Sequence, residues 1–257
     1  MRLDVYLFEK EYAKSRQSAK SLILEGNVSV DGVIVNKPAF DINENDAHHI
    51  EILNSCPYVS RGGLKLEKLL RLTSTDVTDK ICIDIGASTG GFTHCLLLNG
   101  AKRVYAIDSG TGQLANELRC DPRVISLENF NARSLTPDDI GENADIVTID
   151  VSFISQTLII PSICKVMSEN GKFLSLIKPQ FEAGRENIGK GGIVKSKKAR
   201  LDAVLKVISC ARDNSLVCTE LAESPIHGGD GNVEYICLFT RNGRELDIKS
   251  IKKIVLE

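Results

Sequence analysis

The sequence predicts an α/β protein: a class I, doubly wound sheet with one antiparallel strand, preceded by a small α+β module. Three observations carry that prediction. Beyond residue 60, apolar runs rich in β-branched residues alternate with helical patterns, the signature of a parallel sheet covered on both faces. The last two runs, LVCTELAE and EYICLFT, are separated only by the loop SPIHGGDGN, so they pair antiparallel and one reversed strand closes the sheet. Residues 1–56 instead alternate on a hairpin pattern behind a short helix, with 57–61 as linker and 62–257 as the second domain.

Taken in order, Ser15 caps a helix through SRQSAKSLILEG, and Gly26 is its stop signal. NVSVDGVIVNK alternates apolar and polar residues around Asp31-Gly32, a strong hairpin signal, and HHIEIL reads as a further strand. Strands of the second domain follow as KICIDI, RVYAID, RVISLE, ADIVTIDV, GKFLSLIK, LVCTELAE and EYICLFT. Helical patterns precede Ile81, follow Gly91, and run from Gln156 to Met167 and from Lys197 to Asn214.

With 42% hydrophobic and 26% charged residues, the composition is that of an ordinary globular protein. No apolar run approaches the roughly 18–20 residues that span a bilayer, and MRLDVYLFEKEY carries charge too often for a signal peptide. A cytoplasmic monomer with no membrane contact is the expectation. The eight cysteines include no two within four residues, so no zinc-type pair and no metal is expected. Net charge is −2, so a nucleic-acid partner has to be held by local patches.

The stretch DIGASTGGFT, Asp84 to Thr93, places glycines at a strand-to-helix turn without the spacing of a dinucleotide loop or the lysine of a phosphate loop. In a doubly wound sheet such a turn faces the ligand, and Gly86, Gly90 and Gly91 let backbone approach it closely, with Ser88 between them. Asp108 ends the next strand, where a carboxylate accepts from ribose hydroxyls. A cofactor with a ribose, positive charge and no phosphate fits an acidic, lysine-free loop: S-adenosylmethionine. Asp84, Asp150 and Asn131 complete the expected cofactor site.

Four residues fall where a reaction centre belongs. Lys65 lies in the helix leading to the first strand of the large sheet, Asp150 and Lys178 end its fourth and fifth strands, and Glu234 opens its last. Such a balanced network suits removal of a proton from a ribose 2′-hydroxyl, with a lysine as base. Whether the carboxylates lie too close to leave a lysine available is open at this level. An amine acceptor would call for an Asn/Asp-Pro-Pro-aromatic turn, whereas the turn here is Asp150-Val151-Ser152-Phe153; ring-carbon chemistry would call for a Pro-Cys pair, which is absent.

The pattern SRQSAKSLILEGNVSVDGVIVNKP resembles the S4-type RNA-binding module, which implies RNA contact through Lys14, Arg16 and Lys20, although six basic residues in this part face nine acidic ones. YVSRGGLKL, DIGASTGGFT, IDVSFIS, LIKPQFEAGR and SPIHGGDGNVEY together resemble the TlyA family across nearly the whole chain. That resemblance implies an FtsJ-like domain that methylates cytidine 2′-hydroxyls of ribosomal RNA, with Lys65, Asp150, Lys178 and Glu234 as catalytic tetrad. The short start MRLDVYLFEK resembles members that act on the large subunit alone. Arg61 and the basic, glycine-rich stretch from Glu182 to Arg200, with Arg185, Lys190 and Lys195, are further expected RNA contacts. Two rival readings follow: a non-catalytic RNA-binding or ribosome-assembly factor, and the membrane-active haemolysin of the family's older label.

Overall fold

Two separate cores organise the chain, one in Met1–Pro57 and one in Tyr58–Glu257. The computed structural model describes every residue except Lys14, Glu25, Asn45, Asn54, Ser55, His227, Gly229 and Asp230, and every side chain of the rest but that of Ser21. The expected RNA contact Lys14 therefore lies outside the described residues.

In the first unit, helices α1 (Leu3–Glu9) and α2 (Arg16–Leu24) pack on a small sheet of β1 (Val28–Val30), β2 (Val33–Ile34) and β3 (Ile50–Ile52), ordered β2-β1-β3. Ser15 Oγ accepts from Ser18 N at 3.1 Å and so caps α2 as its position predicts. Asp31 and Gly32 have φ of 52° and 79°, the left-handed pair that a tight hairpin needs to bring Val30 opposite Val33. Leu3, Leu7, Ala19, Ile23 and Val28 are fully buried between the helices and the sheet.

The second unit opens with α3 (Gly62–Leu72) and continues through β4 (Ile81–Ile85), α4 (Gly91–Leu98), β5 (Arg103–Ile107), α5 (Asn116–Arg119) and β6 (Val124–Leu127). It continues through α6 (Pro137–Ile140), β7 (Ala144–Ile149), α7 (Ile160–Val166), β8 (Met167–Ile177) and α8 (Pro179–Glu182), then α9 (Lys197–Asp213), β9 (Val217–Glu223), β10 (Tyr235–Thr240) and α10 (Ile248–Leu256). Among the described residues the sheet has seven strands in the order β6-β5-β4-β7-β8-β10-β9. The period-two rule sorts β4 cleanly: Ile81, Ile83 and Ile85 face one core with α7 and α9, while Cys82 faces another with α3 and α4.

Two features depart from the sequence reading. The reversed strand β10 lies between β8 and β9, antiparallel to both, so β9 and not the last strand takes the edge. The crossover through α9 carries β9 one position past β8, and the returning hairpin strand fills the gap. The terminal helix α10, not anticipated, buries Ile251 and Val255 and leaves Lys252 and Lys253 exposed.

Candidate active site

Ligands of a doubly wound sheet bind beyond the carboxyl ends of its strands, and among the described residues two sizeable adjoining cavities lie there. The first, about 300 Å³, is lined by Ser60, Arg61, Lys65, Asp150, Ser152 and Lys178 among others. The second, about 380 Å³, is lined by Ile107, Asp108, Phe130, Asn131, Asp150 and Phe153 among others. Gly86, Ser88, Asp150 and Ser152 line both.

The four expected catalytic residues form two ion pairs. Lys65, on the buried face of α3, places Nζ 2.5 Å from Glu234 Oε2, with side chains only 10% and 2% exposed. Lys178 Nζ lies 2.5 Å from Asp150 Oδ1 and donates to Ser152 Oγ at 3.1 Å. Glu234 Oε1 also accepts from Gln180 Nε2 at 3.5 Å, which tethers the segment before β10 to α8. Both carboxylates thus sit at contact distance from a lysine, so each ammonium has a counter-charge beside it. Breaking a pair this deeply buried leaves an uncompensated charge, a loss of about 3–5 kcal/mol.

Asp108 braces the cofactor side. Its Oδ2 accepts from Ser88 N and its Oδ1 from Gly110 N, both at 2.7 Å, locking the loop after β4 to the loop after β5. Gly86 has φ of 81°, and a Cβ there would meet the Asp150 carbonyl oxygen at 2.4 Å, so only glycine allows β4 and β7 to meet at this point. Asn131 faces the second cavity, and its Oδ1 accepts from Arg133 N at 3.1 Å.

Two expected cofactor residues turn away from the cleft. Asp84 is 0% exposed and lies inside β4, its oxygens accepting from Thr93 Oγ1 at 2.7 Å and Thr148 Oγ1 at 3.0 Å. Burial pushes its carboxyl up to about 6 despite those two donors. It is an internal strut, because the alternation of the strand turns it, with Cys82, toward the face covered by α3 and α4, where Thr93 lies. Gly90, with φ of 95°, packs its Cα against Leu118 and Leu114 at the start of α4, whereas Gly91 does line the first cavity.

The second cavity fits the cofactor expected from the sequence. Apolar walls from Ile107, Phe130 and Ile159 suit an adenine, Asp108 suits a ribose diol or a positive charge, and the lining contains no lysine or arginine for a phosphate.

Of the expected RNA contacts, Arg61 lines the first cavity, and Lys20, Arg185, Lys190 and Lys195 are exposed. Arg16 is exposed too, but its guanidinium lies 3.5 Å from Asp4, which Arg2 also contacts at 2.8 Å. Phe153 escaped the sequence reading as a functional residue. It is 92% exposed at φ of 65°, and its ring meets that of Phe181 at 5.2 Å. Glu182 escaped it too: 5% exposed, it accepts from Ser155 Oγ at 2.5 Å and Gln156 N at 2.8 Å, holding the turn that carries Phe153. The only sequence signals were an aromatic residue after a strand end and a carboxylate in KPQFE, each too common to single out.

Residues 58–241 match the FtsJ-like methyltransferase family, and residues 1–48 match the S4 domain. The chain is 40% identical over 255 residues to the 16S/23S rRNA (cytidine-2'-O)-methyltransferase TlyA of Mycobacterium tuberculosis, covering 99% of this chain and 95% of that one. It is 35% identical over 204 residues to the 23S rRNA (cytidine-2'-O)-methyltransferase TlyA of Campylobacter jejuni, covering 79% and 78%. A solved structure from Streptococcus thermophilus, described as a candidate hemolysin, is similar at a TM-score of 0.79 and 40% identity, covering 100% of this chain and 94% of that one.

Proposed function

The chain belongs to the FtsJ-like methyltransferase family, and from that premise we propose that it methylates the 2′-hydroxyl of a cytidine in ribosomal RNA. It is an S-adenosylmethionine-dependent methyltransferase. The observation that carries the finer reading is the pairing Lys65–Glu234 and Lys178–Asp150 around one cavity that adjoins the Asp108 cavity. When bound, the cofactor supplies a methyl group on a sulfonium, which needs a nucleophile in line with it and no acid.

The chain's own residues prepare that nucleophile. A ribose hydroxyl entering the first cavity meets Lys178 and Asp150, and its insertion loosens their contact. Lys178, once it has given a proton to solvent, accepts the hydroxyl proton while the oxygen forms its new bond to carbon. The transfer leaves a neutral sulfide, a methyl ether and a lysinium that Asp150 again pairs. Lys65, held by Glu234, supplies a fixed positive charge beside the developing oxyanion. Phe153 offers an exposed ring on which the target base stacks, the common way a protein holds an unstacked nucleotide.

Large-subunit RNA is the target that both named relatives share, and we propose it as the principal one. Since one chain carries the whole tetrad, we propose a monomer acting where ribosomes are, in the cytoplasm. Membrane lysis is disfavoured: among the described residues no helix is long and apolar enough to cross a bilayer. A non-catalytic assembly role leaves the two buried ion pairs without a purpose that outweighs their desolvation.

The test is mass mapping of 2′-O-methyl cytidines in ribosomal RNA from cells with and without the protein, followed by reaction of the purified protein with unmodified subunits. The reading requires a large-subunit site that vanishes in the deletion and returns in vitro. Identical maps would remove it.

A further inference from the structure

We propose that the start of α9 and the end of α10 form a basic ledge that holds the phosphate backbone of the substrate RNA, separately from the S4 domain. This rests on the RNA-methyltransferase reading and adds a contact surface to it.

Topology puts both helix ends at the catalytic end of the sheet. β8 delivers its carboxyl end to Lys178, and α9 starts from the loops beyond it; β10 runs back the other way, so α10 returns toward the catalytic end. The two ends meet: Lys197 Nζ donates to the carbonyls of Leu256 at 2.5 Å and Glu257 at 3.0 Å. That contact joins the helix end that carries the exposed Lys198, with the exposed Lys195 just before it, to the helix end that carries the exposed Lys252 and Lys253; Asp202 and Glu257 are exposed acidic residues of the same two segments.

Charge is concentrated in the segment that leads into the start of α9, against the trend of the molecule. Residues 184–200 hold six lysines or arginines and one acid, a net +5 in a chain of net −2, so the remainder carries −7. A solvated face needs no such segregation, whereas binding a polyanion does. The approach to the ledge is also built and not slack. Asn232, 2% exposed, accepts from Val194 N and donates to Gly192 O, both at 3.0 Å. It thereby fastens the basic loop two residues from Glu234, so phosphates held here are registered against the tetrad.

The partner is RNA and not an acidic peptide or a lipid surface, because the ledge lies at the end of the sheet where the ribose must enter. The test measures binding of a helical ribosomal RNA fragment to the full chain as a function of salt. It compares Lys198→Gln/Lys253→Gln with the charge-matched control Lys102→Gln/Lys165→Gln, two exposed lysines at the opposite end of the sheet. The ledge pair should lose roughly three- to thirtyfold in affinity. It should also lower the slope of log K against log salt by about 1.5, with S-adenosylmethionine affinity unchanged. The control pair should alter the slope far less. Equal behaviour of the two pairs, with wild type still binding RNA, overturns the ledge alone. Wild type that neither binds nor methylates ribosomal RNA overturns the functional reading and the ledge with it.

Discussion

Asp84→Asn separates a strut from a ligand. The carboxyl of Asp84 is pushed from its ordinary 3.8 to about 6 by burial. Its folded form therefore holds a proton more tightly than its unfolded form. The stability it contributes is full below about pH 4 and is lost as pH rises through 6. A rise from 3.8 to about 6 corresponds to a cost of about 3 kcal/mol above pH 7. Asparagine carries no such cost and finds partners in place. Its oxygen accepts from Thr93, while its amide donates to Thr148 Oγ1, whose own proton turns to the Ile83 carbonyl 3.3 Å away. Urea unfolding of both proteins should agree near pH 4 and diverge in favour of the variant by up to about 3 kcal/mol at pH 7.5. Affinity for S-adenosylmethionine should change by less than about threefold, since Asp84 is fully buried and lines neither cavity. A gap that does not vary with pH would refute the burial argument. A large loss of cofactor affinity in a folded variant would return Asp84 to the site.

Three other outcomes follow from the same geometry. Lys178→Ala should cut methyl transfer by on the order of 10²–10⁴ while sparing cofactor affinity, and single-turnover rates within tenfold of wild type would exclude Lys178 as the base. Asp108→Ala should weaken S-adenosylmethionine by about 1–3 kcal/mol in calorimetry, both through the lost acceptor and through release of Ser88 and Gly110. Phe153→Ala should lose about 1–3 kcal/mol of RNA affinity with folding intact, and Phe153→Tyr should restore it; equal affinities would show that no base stacks there.

How much of this was legible in the chain depends on the range of the interaction concerned. Ser15, Asp31-Gly32 and the seven apolar runs of the large sheet act through nearest neighbours and period-two alternation, so elements and fold class follow from local sequence. Asp150 and Lys178 were legible through strand ends, because the carboxyl ends of the parallel strands face the cleft; Lys65, on helix α3, and Glu234, before the reversed strand β10, were singled out with the help of the family motifs around them. What local pattern does not contain is partnership. Lys65 meets Glu234 across 169 positions, and Lys178 meets Asp150 where β7 and β8 run side by side, so the pairing exists only once strand order is set. The place of β10 between β8 and β9 is likewise a global choice, made by the α9 crossover. Asp84 shows the limit most plainly. Sequence puts it at the end of a strand before a glycine loop, where it reads as a ligand. Alternation sets it on the same face as Cys82, and only the tertiary packing that brings Thr93 and Thr148 against that face closes it off from the cleft, because a buried carboxylate must take the nearest donors, and here those belong to the protein.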